Sequence, residues 1–175
     1  PGDPESLIDN YVQALAEGVD GRLWVGTQNG LCSLDPDSGR YTRYRSDGGP
    51  GALRDALING LRTGPDGTLY VSTRRGGIQR LRAGSAEFED VPGLPPVGRR
   101  QLLLWIDPDG SLLVAQDHQL LKLPAAGGSA QVWAKGALPA DQHFLAARPL
   151  GDGYVLGSNQ SGLFRVDARG QVQTH

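Results

Sequence analysis

Four short polar clusters recur along the chain at nearly even spacing: Gln28-Asn29, Arg74-Arg75, Gln116-Asp117-His118 and Ser158-Asn159-Gln160-Ser161. Amides, guanidinium groups, one carboxylate and one imidazole suit hydrogen bonding to hydroxyls or carboxylates of a ligand. Gln28, Asn29, Arg74, Arg75, Asp117, His118, Asn159 and Gln160 are therefore the candidate ligand-binding residues. The competing reading is that exposed loops simply contain such side chains. Trp24, Trp105 and Trp133 could stack on sugar rings, but Trp24 and Trp105 sit in apolar strand patterns where packing competes. His118 and His143 could serve as acid and base, yet nothing in their spacing brings them within reach of each other. The turns Asp35–Gly39 and Asp107–Gly110 hold carboxylates at a density that hints at calcium. Asp-Pro and Asp-Gly are also ordinary turn vocabulary, and no glutamate occupies the twelfth place of a calcium loop. Arg74-Arg75 beside Gly76-Gly77 could hold an anion or form a solvated loop tip. No metal, cofactor or catalytic residue is assigned.

The clusters sit at fixed places in an internal repeat. Turns of the form Asp-Gly, aligned on Gly21, Gly67, Gly110 and Gly153, recur 46, 43 and 43 residues apart. Each is followed by an apolar strand, a short turn and another strand, and this period points to a propeller or a solenoid. In the first unit, strands are expected at about Val12–Ala16, Leu23–Thr27, Leu31–Leu34 and Tyr41–Arg45. The intervening turns supply Gly, Asn or Asp where φ must be positive. Four short antiparallel strands per repeat make the blade of a β-propeller. Runs such as Leu102–Ile106 and Leu112–Ala115 lack strict alternation, as expected of strands covered on both faces. Ile8, Tyr11, Val12 and Leu15 also fall at helical spacing, with Asp3 or Ser6 as a possible cap. That segment occupies the slot of Ile58–Thr63, Leu102–Ile106 and Phe144–Pro149, so a strand is expected there. The fold class is all-β: a β-propeller with four blades of four antiparallel strands, at residues 7–52, 53–98, 99–141 and 142–175.

In such a blade the loops between second and third strands share one end with the connections between blades, here about Ser46–Asp55, Pro92–Arg100 and Gly136–His143. That end is the expected binding face. No strand is left over to latch a ring closed, so a partial ring, or half of a larger one, is expected, completed by further blades or a second copy. A closed four-bladed ring is the remaining option. Open terminal blades would expose apolar faces.

Composition limits the function classes. The formal net charge is −2, and the 17 basic residues form no long run, so neither a nucleic-acid stripe nor a membrane-surface helix is expected. No apolar stretch approaches the ~20 residues of a spanning helix. A chain starting at Pro1 without methionine is expected to have been cut or processed. The single cysteine, Cys32, excludes an internal disulfide and is expected as a buried thiol.

The first unit, DGRLWVGTQNGLCSLDPDSGRYTRY, resembles the two-component regulator propeller repeat through Asp20, Gly21, Leu23, Trp24, Val25, Gly26, Thr27, Gly30 and Leu31. The second keeps Asp66, Gly67, Leu69, Val71, Thr73, Gly77 and Ile78, with Tyr70 and Ser72 in place of Trp and Gly. The fourth keeps Asp152, Gly153, Val155, Gly157, Ser158, Gly162 and Leu163. The third is degenerate, with Gly110, Leu112 and Val114 retained and Gln119 where the second glycine belongs. The resemblance implies a periplasmic, ligand-sensing propeller of a bacterial signal-transduction receptor, without catalysis of its own. It also implies a membrane span and a histidine kinase or diguanylate cyclase outside this segment, and small-molecule ligands such as glycan fragments. Two alternatives accompany it: a protein-interaction scaffold, and a metal-dependent propeller enzyme resembling streptogramin lyases.

Overall fold

The computed structural model describes residues 6–98, 100–134 and 143–174. Asp3, Arg99, the stretch 136–142 and His175, named above, lie outside the described residues. The chain divides into two compact units, Pro1–Val91 and Pro92–His175. Among the described residues there is no helix, and sixteen strands form four antiparallel sheets of four.

The first unit holds β1 (Val12–Glu17), β2 (Leu23–Thr27), β3 (Gly30–Leu34) and β4 (Tyr41–Tyr44), then β5 (Ile58–Thr63), β6 (Leu69–Thr73), β7 (Gly77–Leu81) and β8 (Phe88–Asp90). The second holds β9 (Gln101–Ile106), β10 (Leu112–Gln116), β11 (Gln119–Leu123) and β12 (Gln131–Val132). It continues with β13 (Phe144–Leu150), β14 (Gly153–Ser158), β15 (Leu163–Val166) and β16 (Val172–Thr174). Every sheet runs in chain order, so each repeat completes its own blade. Each first strand carries a register shift against the second, at Val12/Ala14, Ile58/Gly60, opposite Leu113/Val114, and at Phe144/Ala146. Such bulges bend and twist a strand.

The motif residues earn their places by local chemistry. Asp20, Asp66 and Asp109 each accept the backbone N–H two residues on, from Arg22, Thr68 and Ser111, which closes the turn into the second strand. Gly21, Gly67 and Gly110 follow with φ of 78°, 79° and 87°. The fourth repeat departs from the expected alignment. Its connection is shorter, Leu150 pairs directly with Gly153, and the positive φ falls on Gly151. Gly153 is needed for a different reason: a Cβ there would collide with the Val166 carbonyl.

Sheets pack face to face within each unit. Gly26 lets Ile58 of β5 approach, since a Cβ at Gly26 would lie 2.5 Å from Ile58 Cγ2. Leu31, Trp24, Ile58, Leu61, Leu69, Val71, Leu81 and Phe88 close that core. In the second unit Leu113, Ala115 and Leu120 pack with Phe144, Leu156, Phe164 and Val166. Trp24 is a core residue, and Trp105 is a partly buried one with Arg148 4.9 Å over its ring.

Ile8 does not extend a helix. With Leu7 it covers Val25 and Cys32 on the other face of the first sheet, held by Arg43 donating to the Ser6 carbonyl. Not every inner strand is covered on both faces: Val12 and Leu15 of β1, and the preceding Tyr11, are exposed. Cys32 is fully buried, accepts the Ile8 N–H at 3.3 Å, and burial pushes its thiol up. A disulfide reagent such as dithionitrobenzoate is therefore expected to label the native chain at least about a hundredfold more slowly than the urea-unfolded chain. Equal rates would show that the Leu7–Ile8 cover opens freely.

Candidate functional site

In every blade the loop between second and third strands is pinned to the segment entering the first strand. Gln28, Arg74, Asp117 and Asn159 donate their backbone N–H groups to the carbonyls of Tyr11, Leu57, Arg100 and His143, at 3.0–3.1 Å. Thr27, Thr73 and Ser158 brace three of these loops from within, their hydroxyls donating to the carbonyls of Gly30, Gly77 and Gly162. The hydroxyl position of the repeat is thus a loop brace.

The third repeat solves the same problem differently. Gln119 stands where Gly30 adopts a φ of 130°, so the left-handed residue moves to Asp117, with a φ of 50°. Aspartate tolerates this better than most residues. Gln116 replaces the hydroxyl and reaches the Pro96 carbonyl at 2.9 Å while accepting from Gln101.

The eight candidates separate by what their side chains do. Gln28, Asn29, Arg74, Arg75, His118, Asn159 and Gln160 are exposed at the loop tips, and Asp117 is half-buried. Asp117 Oδ1 accepts the Arg100 N–H, and Asn159 Oδ1 accepts the His143 N–H. Arg75 is held through its backbone N–H to Asp55 Oδ2 at 2.8 Å, leaving its guanidinium at the tip. In the second unit Asp117, Arg100 and His143 line one small space of about 10 Å³ with Leu102, Ala115 and Phe144. That volume suits a single water. His118 lies outside it.

Two features of the loop ends escaped sequence reading. In the first unit a cleft of about 520 Å³ runs along the connection Ser46–Arg54 and reaches Gln79, Phe88, Glu89 and Asp90. Gln79 is buried there, accepting the Arg54 N–H at 2.8 Å and donating to the Ala52 carbonyl. Its counterpart in the first repeat is Cys32, which accepts the Ile8 N–H, so one strand position pins the incoming connection in both blades. The signal was available in principle, as a polar residue in an apolar strand.

The carboxylate turns are consumed by their own structure. Asp35 accepts from the Asp37 and Ser38 N–H groups, and those bonds hold its carboxyl below the usual range. Asp107 binds Lys122 Nζ at 3.2 Å and the Tyr154 hydroxyl. Among the described residues, no three His, Cys, Asp or Glu side chains are grouped to hold a metal ion.

Four-stranded sheets of this topology, bulged in the first strand and stacked in pairs, define propeller blades. The comparisons agree. Residues 6–29 match the family model described as Two component regulator propeller, so the chain carries that repeat. The structure is similar to the extracellular domain of BT3049 from B. thetaiotaomicron, described as a hybrid two component system, with a TM-score of 0.82 at 19% identity. That likeness covers 98% of this chain and 25% of the other. The extracellular domain of BT4673, from the same organism and also described as a hybrid two component system, matches with a TM-score of 0.80 at 20% identity. It covers 98% and 23% of the two chains. A streptogramin B lyase matches with a TM-score of 0.73 at 20% identity, covering 97% and 56%. At these identities the likenesses establish the propeller fold alone. This chain spans about a quarter of the two extracellular domains. No curated protein matches it significantly.

Proposed function

We propose that this chain is a ligand-sensing segment of an extracytoplasmic propeller receptor, which binds a small molecule and carries out no reaction of its own. The observation that carries this reading is the two-component regulator propeller repeat at residues 6–29, set in a fold shared with two such extracellular domains. Among the described residues no helix is long and apolar enough to cross a membrane.

The blades themselves support a place in a larger array. Gly157 holds in the fourth blade the position of Gly26 in the first, yet nothing lies within 4 Å of a Cβ built on it. Leu163, in the slot of the fully buried Leu31, is 56% exposed. A further blade presenting a residue like Ile58 or Phe144 fits that face. The sensing residues are then the exposed loop-tip groups, Arg74, Arg75 and His118 foremost, with hydroxyl- or carboxylate-bearing ligands such as glycan fragments as their targets.

Thermal unfolding of the 175-residue chain with a panel of oligosaccharides and hexuronates tests this. A ligand present at 100 times its dissociation constant adds about 2.7 kcal/mol to the unfolding free energy. Arg74→Ala or Arg75→Ala should remove that gain for a ligand held on the first unit, and His118→Ala for one held on the second, each leaving the unliganded chain unchanged. Divalent-metal-dependent opening of a streptogramin-type lactone, with no stabilisation by the panel, would favour the lyase reading that the third likeness keeps open.

A further inference from the structure

The blades also form clefts at the opposite ends of their strands, where first meets second and third meets fourth. In the first unit such a cleft, about 370 Å³, lies between Trp24, Tyr44, Leu69 and the turns at Val19 and Ala83. Its equivalent in the second unit is twice that size, about 740 Å³. There Trp133 takes the place of Tyr44, as its N–H donates to the Leu120 carbonyl just as Tyr44 pairs with Leu31. Val132, Pro124, Ala125 and Ala126 extend the apolar wall, and Asp109, Lys122 and Arg169 stand on it.

The charges differ between the two clefts in a way that decides what each can bind. In the smaller one Arg22 is paired with Asp20 and Asp35, and Arg82 with Glu89, so every cation is spent. In the larger one Lys122 is paired with Asp107. Asp109 is held ionised by Ser111, whose side chain and N–H both donate to it, with its carboxyl below the usual range. Arg169 is fixed through its backbone N–H to Asp167, and its guanidinium has no ion pair or hydrogen bond among the described residues. A cleft lined by an unspent guanidinium, an indole and an apolar wall selects a flat apolar body bearing a carboxylate. The nearby Asp109 carboxylate disfavours a second negative charge. The volume lies in the range of small-molecule sites.

We propose that this cleft is a second binding site, distinct from the loop ends, which takes small apolar monocarboxylates with the acid on Arg169 and the flat body along Trp133. The proposal does not depend on the receptor reading above. Phenylacetate titrated into the 15N-labelled 175-residue chain should shift a tryptophan indole signal. The uncharged isostere phenylacetamide should bind about tenfold more weakly or worse, as should phenylacetate to Arg169→Gln. Arg82→Gln, in the smaller cleft, should bind phenylacetate like the unaltered chain. Equal affinity for the acid and the amide, unchanged binding to Arg169→Gln, or no indole shift at about 20 mM phenylacetate, far above useful small-ligand affinities, would overturn the proposal. The acid–amide comparison uses the unaltered chain and so holds whether or not any variant folds.

Discussion

Leu31→Ala is expected to cost ~2–5 kcal/mol of unfolding free energy, and Leu163→Ala less than ~0.5 kcal/mol, although both leucines hold the same place in their repeats. Each begins the third strand's apolar run, opposite Gly26 or Gly157 on the second strand. Leu31 is fully buried against β5, so truncation leaves a cavity ringed by Ile58 and Leu61. Leu163 is 56% exposed, and its own neighbour Phe164, pointing to the other face, is 1% exposed. Phe164→Ala should therefore behave like Leu31→Ala. Urea unfolding of the three variants, with the slope unchanged from the unaltered chain, separates these effects. A large loss at Leu163 would mean that something covers the face in solution. Sedimentation of the unaltered chain across a hundredfold concentration range would then identify that cover as a second copy.

The strands were legible because each repeat writes its punctuation locally. An aspartate closes a turn through its own side chain, a glycine supplies the positive φ, and a Thr or Ser hydroxyl braces the next loop. None of these needs a distant partner. The helical spacing of Ile8, Tyr11, Val12 and Leu15 was a false signal. Ile8 is drawn onto Cys32 while Tyr11 and Leu15 are left exposed, so they never share a face. The alignment at Gly153 failed where one connection is shorter and the turn glycine has moved to Gly151. Loop-tip positions could be read from the repeat, but not the use of each side chain. Asp117 and Asn159 serve backbone groups 16 or 17 residues away, a pairing that composition does not encode. The second cleft was beyond reach for the same reason, because Lys122 and Trp133 on its wall rest on Asp107 and Tyr154, which meet across 47 residues.

That meeting makes Asp107 the polar residue whose loss should be felt most. Its carboxylate, 17% exposed, accepts the Tyr154 hydroxyl, lies 3.2 Å from Lys122 Nζ and is approached by the Ser111 hydroxyl. Lys122 in turn sits 5.5 Å over the Trp133 ring and 5.3 Å over the Tyr154 ring. Asp107→Ala strands a buried phenol and an ammonium together, at an expected cost of ~2–3 kcal/mol. Lys122 keeps enough water to hold the loss below that of a fully buried pair. Asp107→Asn still accepts from the phenol and should lose about half as much. The pH dependence gives the independent check. Burial, then the bond to Asp107, pushes the Tyr154 phenol above its ordinary value, so the folded chain holds that proton more tightly than the unfolded chain. The resulting stability is fully present below the unfolded phenol value of about 10 and is lost as pH rises beyond it. Tyr154→Phe should flatten the alkaline limb of the unfolding profile, and Asp107→Asn should shrink it by removing the nearby negative charge. An alkaline limb unchanged in both variants would mean that Tyr154 does not sit on Asp107 in solution, and the wall of the second cleft would lose the network that holds it.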